Sequence, residues 1–278
     1  MRFRALRGVA LACFAGAAAL AAPAPRIAIL IDDLGHDHAA GMRVLALPDA
    51  VGVAVLPFTP YSTTLAASAR SGGRDLLLHL PLESLDAEPL GPGGIEAGAS
   101  PRAIQDALAA GLAAVPGAVG VNNHMGSLLT QAPESMRVLL RALQARGLYF
   151  VDSYTTERSV ALGLARELGV PATRRDVFLD PAPAVLTIGG PAPQGGAEAA
   201  KAVIATQWQR LLEMARERGV ALAIGHPSPT TLGWLERELP RLREQGIELV
   251  RVSEVVRTES TTGNTWHGSF PASSTTPH

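Results

Sequence analysis

Two aspartates and three histidines each stand at the end of a short apolar run in this chain. One run leads into Asp32 and Asp33, and similar runs precede His79, His124 and His226. Short apolar runs that close on a polar residue are typical of buried parallel strands. In barrels built from such strands, the active site lies at the carboxyl ends. Carboxylates and imidazoles that meet there are typical of a metal-dependent hydrolase, since they can bind a divalent ion or transfer protons.

The adjacent carboxylates of Asp32 and Asp33 are the strongest single signal. Two neighbouring carboxylates repel each other unless a cation or a basic partner holds one of them ionised. The alternative, a polar turn before Gly35, accounts for one aspartate but less well for two. Each histidine is weaker evidence alone, because a lone histidine in an apolar run is more often a core residue than a ligand. His36 and His38 lie beyond the strand end and indicate a solvated helix start.

Three further polar residues, Glu83, Asn123 and Asp152, are secondary candidates, and Asp180 is a further acid at a strand end. Glu83 completes a His-x-x-x-Glu pattern, and Asn123 lies in the amide-rich segment that precedes the second histidine. Asp152 and Asp180 end two other predicted strands, where each either orients a histidine or caps the next helix. The sequence leaves both interpretations open. GxSxG and HExxH motifs are absent from the sequence, which argues against a serine hydrolase of the elbow type and against a zincin.

Strand and helix patterns alternate along the chain. The strand candidates are residues 27–31, 51–56, 75–80, 118–122, 148–152, 177–179, 220–225 and 247–252. The helix candidates are residues 38–47, 61–70, 101–115, 133–145, 159–167, 198–218 and 230–244. This alternation predicts a single α/β domain with a parallel sheet and right-handed crossovers. Periodicity alone does not choose between a closed barrel and an open doubly wound sheet.

Three stretches differ from this pattern. Residues 1–22 combine early arginines, an apolar run and a small-x-small site at Ala19-Leu20-Ala21, which predicts a cleaved signal peptide and a periplasmic or secreted bacterial protein. The alternative is an uncleaved anchor, although the apolar run is shorter than the roughly 20 residues that a span needs. Residues 180–196 read as a Pro/Gly-rich surface loop and 258–278 as a disordered tail, which leaves a domain at 23–257.

Composition limits the classes of binding partner and the types of residue that can bind a metal ion. The formal net charge is −1 and no basic run exceeds two residues, so the chain lacks the concentrated basic face of nucleic-acid-binding proteins. The single cysteine, Cys13, lies within the predicted signal peptide. A metal site in the mature protein must therefore use histidines and carboxylates.

Six segments taken together resemble the divergent polysaccharide deacetylase family, a remote relative of the NodB-type carbohydrate esterases. They are residues 31–35, 79–83, 120–127, 149–153, 177–180 and 224–227. The Asn-Asn-His-Met-Gly-Ser segment is the most specific of them, and the resemblance runs in order from about residue 26 to 256. It implies a distorted (β/α)7 barrel. Asp32 matches the catalytic base, Asp33 a metal ligand, His79 the first ligand histidine and His226 the late histidine that acts as an acid.

The resemblance departs from the esterase pattern at one ligand. Glu83 stands where the second ligand histidine is expected, and His124 is the candidate for the missing imidazole; the sequence does not decide which completes the site. The implied activity is metal-dependent removal of acetyl groups from an envelope polysaccharide or peptidoglycan sugar. Zinc is the default ion, and cobalt or manganese suits the same ligands.

A competing interpretation is a catalytically inactive envelope protein that binds glycan or metal on the same barrel. The Arg-x-Pro and Asp-x-x-Asp-Trp signatures of the NodB enzymes are absent, which favours this interpretation. Retention of both Asp32 and Asp33 favours the enzyme, because a binding module needs no general base beside a ligand carboxylate. Other envelope proteins are compatible partners in either case.

Overall fold

The structure is a computed structural model that describes residues 23–86, 88–180 and 196–262. The predicted signal peptide, residues 181–195 of the predicted loop and the tail beyond residue 262 lie outside the described residues. None of the helices in the described ranges combines the length and the apolar character needed to cross a membrane.

Nine strands form one sheet in which every pairing within the described chain is parallel. They are β1 (Arg26–Leu34), β2 (Gly52–Val55), β3 (Leu76–Leu82), β4 (Gly120–Met125), β5 (Tyr149–Asp152), β6 (Ala172–Arg174), β7 (Val177–Phe178), β8 (Val220–Gly225) and β9 (Glu248–Leu249). The strand order is β6-β5-β4-β3-β2-β1-β8-β7, and β9 pairs with the start of β1.

Helices follow most of the strands. They are α1 (His38–Leu45), α2 (Ser62–Ser71), α3 (Pro101–Ala114), α4 (Pro133–Gln144), α5 (Ala161–Leu168), α6 (Gly196–Arg218), α7 (Pro229–Glu238) and α8 (Val252–Thr262). Helices α1 to α7 pack on one face of the sheet, and α8 packs on the other. Serine caps begin α3 and α7, where Ser100 and Ser228 accept a backbone N–H and a proline occupies the first turn.

Both faces of the sheet are buried, which explains why the central strands β1, β2, β3 and β8 are apolar over most of their length. Ile27 and Ile29 of β1 pack in a large cluster with residues of α1 to α7. Ala28 and Leu30 point the other way and pack with Val255 and its neighbours in α8. Alternate residues of a strand face opposite sides of a sheet, so a strand covered on both sides must be apolar at every position.

The sheet curls into a half-barrel whose two edges are joined by a two-residue link. The edge strands β6 and β7 are consecutive in sequence and do not pair with each other in the described structure. Between them, the Arg175 backbone N–H donates to the Asp152 carbonyl on β5 at 2.9 Å, and the Asp176 backbone N–H donates to the Leu222 carbonyl on β8 at 2.9 Å. The predicted distorted barrel of the deacetylase type is confirmed, and this link takes the place of a closing ladder.

Three parts of the chain differ from the sequence-based elements. β6 was not predicted, because it is only three residues long and ends in polar side chains. The predicted strand at 247–252 shrinks to two residues, since the chain enters α8 at Val252. That helix extends to Thr262, five residues beyond the predicted domain end at 257. Thr258 of this helix accepts from Arg26 on β1 at 3.4 Å, which joins the helix to the sheet.

Candidate metal centre and acid–base groups

A bulge at the end of β1 turns two consecutive carboxylates toward the same histidine. The register against β2 passes from Ile31↔Val53 to Leu34↔Val55, so β1 advances three residues while β2 advances two. Asp33 takes up the extra residue with a left-handed φ of +59°, a conformation that aspartate tolerates better than most residues. Without the bulge, alternation would send the two side chains to opposite faces.

Asp33, His79 and His124 bring one ligand atom each to a common point. Asp33 Oδ1 lies 3.0 Å from His79 Nε2 and 3.0 Å from His124 Nδ1, and the two ring nitrogens are 3.2 Å apart. Within the described residues these three form the group that could hold a metal ion. The His79 side chain is 2% exposed and that of His124 is 30% exposed, so the group opens to solvent on the His124 side.

The spacing and the donors of this group fit a divalent ion. Ligands at 2.0–2.1 Å from a tetrahedral zinc are about 3.3 Å apart, close to the observed spacing. Asp33 Oδ1 is buried and makes no hydrogen bond of normal geometry among the described residues, despite its two close nitrogen neighbours. An oxygen in this position is better placed to bind a cation that it shares with the two nitrogens than to accept a hydrogen bond from either of them. Three protein ligands also leave a coordination position open, which is the pattern of catalytic zinc sites.

Asp32 lies beside this group and is held by an amide. Asn122 Nδ2 lies 2.9 Å from Asp32 Oδ1 and 3.0 Å from Asp32 Oδ2. His79 Nε2 is 3.7 Å from Asp32 Oδ2, farther than from Asp33. Asp32 is 2% exposed. The first carboxylate of the pair is therefore next to the ligand group without belonging to it.

Asn122 also contacts a ligand histidine, and the sequence analysis missed it in favour of its neighbour Asn123. Asn122 Oδ1 lies 2.9 Å from His79 Nδ1, and strand pairing sets the two residues directly opposite each other. The signal that could have found it is the period of two within a strand, which places Asn122 on the same face as His124. Asn123 instead accepts from Ser153 N–H at 2.9 Å and donates to the Met125 carbonyl at 2.7 Å, so it braces two loops.

His226 reaches the site from β8 and is held by Asp180. Its Nδ1 lies 2.8 Å from Asp180 Oδ1, and its backbone N–H donates to Asp180 Oδ2 at 2.8 Å. Thr231 also donates to Asp180 Oδ2, at 2.7 Å. His226 Nε2 faces Asp33 Oδ2 at 3.8 Å. Of the two interpretations left open for Asp180, the structure supports the one in which it orients a histidine.

Burial and neighbouring charges give the ionisable groups distinct proton affinities. Burial raises the pKa of Asp32, although His79 and His226 offset part of this effect. Burial also opposes ionisation of Asp33, but His124 and His79 hold its pKa well below the usual range. Burial alone would lower the pKa of His226, yet the hydrogen bond and charge of Asp180 outweigh it and raise this pKa to about 9.

The other secondary candidates lie outside the ligand group. Glu83 Oε2 accepts from Ala97 N–H at 2.6 Å, so this carboxylate fastens the segment after β3 and does not complete the ligand set. Asp152 accepts from Tyr154 N–H at 2.8 Å and from the Ser159 hydroxyl at 2.6 Å, and it supports the loop after β5. A short polar side chain near a strand end can serve the adjoining loop as well as a site, and sequence alone does not separate these roles.

A surface cavity of about 370 Å³ lies at the link between β6 and β7. Tyr154 and Thr155 line one wall, and Arg175, Phe178 and Arg210 line others. The Phe178 ring also stacks on the imidazole of His226, with 6.0 Å between ring centroids. Phe178 therefore contacts both the cavity and His226.

Comparison with known proteins identifies the family. The family model described as divergent polysaccharide deacetylase matches residues 29–188 and 196–256. An uncharacterized protein of Haemophilus influenzae is 35% identical over 234 residues, which cover 84% of this chain and 78% of that protein. The uncharacterized protein YibQ of Escherichia coli is 35% identical over 245 residues, which cover 87% of this chain and 72% of YibQ.

A solved structure shares the fold. Protein ATU2773 of Agrobacterium tumefaciens superposes with a TM-score of 0.74 at 23% identity, covering 84% of this chain and 90% of that one. The sequence matches confirm the resemblance inferred from the motifs, and the chain belongs to the divergent polysaccharide deacetylase family.

Proposed function

We propose that this protein is a metal-dependent hydrolase that removes acetyl groups from an envelope polysaccharide or a peptidoglycan sugar. One observation carries the proposal: the ligand atoms of Asp33, His79 and His124 lie 3.0–3.2 Å apart, with Asp32 and His226 beside them. A binding site would need the first three residues, but it has no use for a buried base and a protonated imidazole. Membership of a polysaccharide deacetylase family supports an acetylated glycan as substrate.

The ligand group would hold the ion through two imidazole nitrogens and one carboxylate oxygen. When bound, a divalent ion supplies Lewis acidity, which polarises the acyl carbonyl and makes water more acidic. Zinc is our first choice for this donor set, and cobalt and manganese are alternatives. The low pKa of Asp33 suits a ligand, because that carboxylate is already ionised when a cation arrives.

Asp32 is assigned the role of general base. Both of its oxygens face the Asn122 amide, which holds the carboxylate in one orientation beside the ligand group. Burial raises the pKa of Asp32 toward the working range of a base. A base with a raised pKa accepts a proton from water more readily than an ordinary surface aspartate does.

His226 is assigned the role of general acid. Asp180 binds its Nδ1 and raises its pKa to about 9, so the ring is protonated at neutral pH. Its Nε2 faces the ligand group, 3.8 Å from Asp33 Oδ2. The proton on Nε2 is therefore available to the leaving amine or alkoxide, while Asp180 keeps the ring in place.

The cavity beside Phe178 offers room for a part of the glycan other than the reacting unit. Its walls carry the guanidinium groups of Arg175 and Arg210, and guanidinium groups can donate hydrogen bonds to sugar oxygens. A longer oligosaccharide should therefore be a better substrate than a single sugar.

The test is metal analysis of the purified protein followed by acetate release from N-acetylglucosamine oligomers and acetylated peptidoglycan. We expect release that a chelator abolishes and that zinc, cobalt or manganese restores. Protein that binds an ion and a glycan but releases no acetate with any of these ions would contradict the enzymatic proposal. That result would favour an inactive glycan-binding protein on the same barrel.

We also propose that the protein works in the bacterial envelope, in the periplasm or after secretion. The support is the arginine-rich start, the apolar stretch and the Ala19-Leu20-Ala21 site. Intact-mass measurement of the exported protein should give a chain that begins near Ala22. A mass that includes Met1 would contradict cleavage.

A further inference from the structure

One buried amide contacts both a histidine of the ligand group and the carboxylate beside that group. Asn122 is 0% exposed, and β4 sets it directly opposite His79 on β3. Its Oδ1 lies 2.9 Å from His79 Nδ1, and its Nδ2 lies 2.9 and 3.0 Å from the two oxygens of Asp32. The same Nδ2 is 3.2 Å from Ser153 Oγ, which gives its second hydrogen an acceptor.

The chemistry of the partners fixes the orientation of this amide. An ionised carboxylate only accepts hydrogen bonds, so the NH₂ end of Asn122 must face Asp32 and the oxygen must face His79. The oxygen only accepts, so His79 Nδ1 must carry a hydrogen. The neutral imidazole then has its free electron pair on Nε2. That nitrogen is the atom 3.0 Å from Asp33 Oδ1 within the ligand group.

We propose that Asn122 is a positioning residue that acts at both ends of its amide. Its oxygen selects the His79 tautomer that leaves Nε2 free for a metal ion, and its NH₂ group orients Asp32 for proton transfer. The second role rests on the proposed function, whereas the first requires only metal binding. Groups that hold the far nitrogen of a ligand histidine commonly set its orientation and strengthen binding.

Two substitutions separate the two roles. Asn122→Asp keeps an acceptor for His79 Nδ1–H but places a second carboxylate against Asp32. Asn122→Ala removes both contacts. Ser135→Ala is the matched control, because it deletes a partly buried hydrogen bond, from Ser135 Oγ to the Ala97 carbonyl, that involves neither the ligand group nor Asp32. The control shows what the loss of one such bond does to the fold alone.

The expected results differ between the variants. Affinity for Zn²⁺ or Co²⁺, measured by titration calorimetry, should fall about 10–100-fold in Asn122→Ala and stay at or above the wild-type value in Asn122→Asp. Acetate release should fall by about 10²-fold or more in both, because the base is no longer held. Ser135→Ala should keep wild-type affinity and turnover.

Two readouts do not depend on turnover. In ion-free wild-type protein at alkaline pH, ¹⁵N NMR should show His79 protonated on Nδ1, as it should in Asn122→Asp, whereas Asn122→Ala should give a mixture. Crystal structures should show the Asp32 carboxylate rotated in both Asn122 variants and unchanged in Ser135→Ala. A wild-type His79 protonated on Nε2, or unchanged tautomer and affinity in Asn122→Ala, would overturn the proposal.

The same measurements test the role of Asn122 separately from the proposed deacetylase activity. If wild-type protein binds the ion but releases no acetate, the deacetylase proposal fails while the tautomer, affinity and Asp32 rotation still decide the role of Asn122. If Asn122→Ala does not fold, Asn122→Asp, which keeps the size of the side chain, remains decisive. Loss of metal affinity in Asn122→Asp would count against the tautomer role.

Discussion

The adjacent residues Asp32 and Asp33 have different surroundings, which gives them different chemistry. Asp33 Oδ1 lies 3.0 Å from two imidazole nitrogens, and the pKa of Asp33 is held well below its usual range. Asp32 faces an amide, and burial raises its pKa. Carboxylates with divergent pKa values in one site commonly divide into separate roles. Here one is suited to a cation and the other to a proton.

Asp32→Asn and His79→Ala should separate these roles. Asp32→Asn keeps the shape of the side chain but removes the base, so acetate release should fall about 10²–10⁴-fold while bound metal is retained. His79→Ala removes a ligand atom, so both metal and turnover should be lost. Elemental analysis and an acetate assay on the same preparations test this. Near wild-type turnover in Asp32→Asn would mean that the base is another residue.

The alkaline limb of the pH–rate profile should depend on Asp180. Asp180 raises the pKa of His226 to about 9, and the proposed acid works only when protonated. Activity should therefore be lost as the pH rises through this pKa. Asp180→Asn removes the negative charge, lowers the pKa of His226 and should move the loss of kcat/KM to lower pH.

Thr231→Val is the control for this prediction. It removes the hydrogen bond to Asp180 Oδ2 but keeps the negative charge beside His226. The alkaline limb of this variant should stay at the wild-type position or move slightly higher, because Asp180 loses a donor. An unchanged profile in Asp180→Asn would show that His226 is not the acid.

At the scale of the elements, irregular backbone at the end of β1 positions the two carboxylates of the site. The bulge includes Asp33 at a φ of +59°, and Gly35 follows at +134°. A side chain at Gly35 would place its Cβ 2.0 Å from Thr59 Oγ1. The turn after the carboxylate pair thus requires glycine for both its backbone angle and its space.

Gly35→Ala should therefore destabilise the fold by about 1–3 kcal/mol and weaken metal binding, since Asp33 lies two residues away. Gly163→Ala is the control, because this glycine lies in α5 with no atom within 4 Å of the added Cβ. Urea unfolding should show Gly163→Ala to be as stable as the wild type or slightly more so. Equal stability of Gly35→Ala would contradict the strained turn.

Strand ends were predictable because buried strands are apolar and their final residues are not. The sequence-based strands overlap all the observed strands except β6, and they place Asp33, His79 and His124 at one edge. The bulge was not predictable, since it depends on how β1 and β2 align. Alternation along β4 could have favoured Asn122 over Asn123, because it sets Asn122 on the same face as His124. Its contact with His79 was not predictable, since that contact depends on the pairing register of β3 and β4.

The role of Glu83 was not predictable for a different reason. A carboxylate four residues after His79 is compatible with a ligand, but the chain turns so that Glu83 receives the Ala97 N–H. That contact joins two residues 14 positions apart in the sequence. The spacing of residues close to His79 does not predict it. Family spacing therefore placed Asp32 and His226 beside the ligand group, but it did not decide between Glu83 and His124.

At the scale of the whole molecule, the curl of the sheet brings distant strands to one point. His79 on β3 reaches Asp33 on β1 at 3.0 Å although β2 lies between them. Neighbouring strands are about 4.8 Å apart, so a flat sheet would separate β1 and β3 by about twice that distance. Inward-pointing side chains on a curled sheet close the gap. The link at Arg175 and Asp176 joins the two edges of the same curl.

Metal binding should therefore stabilise the whole fold, because the ligands come from three strands and converge only in the folded state. An ion that binds only folded protein adds about 2.7 kcal/mol at 100 times its Kd. In a domain of this size, that gain should raise the unfolding midpoint by about 5–10 °C over chelator-treated protein. Scanning calorimetry with and without zinc measures the shift.

The variants locate the site that produces this stabilisation. His79→Ala and Asp33→Asn should lose most of the shift, because each removes a ligand that ties one strand to the others. His36→Ala should keep it, since His36 is exposed and lies outside the ligand group despite its closeness in sequence to Asp33. If His36→Ala abolished the shift and His79→Ala did not, the ion would bind on the α1 side of the carboxylate pair. The three-strand site would then be wrong, whatever the activity of the protein.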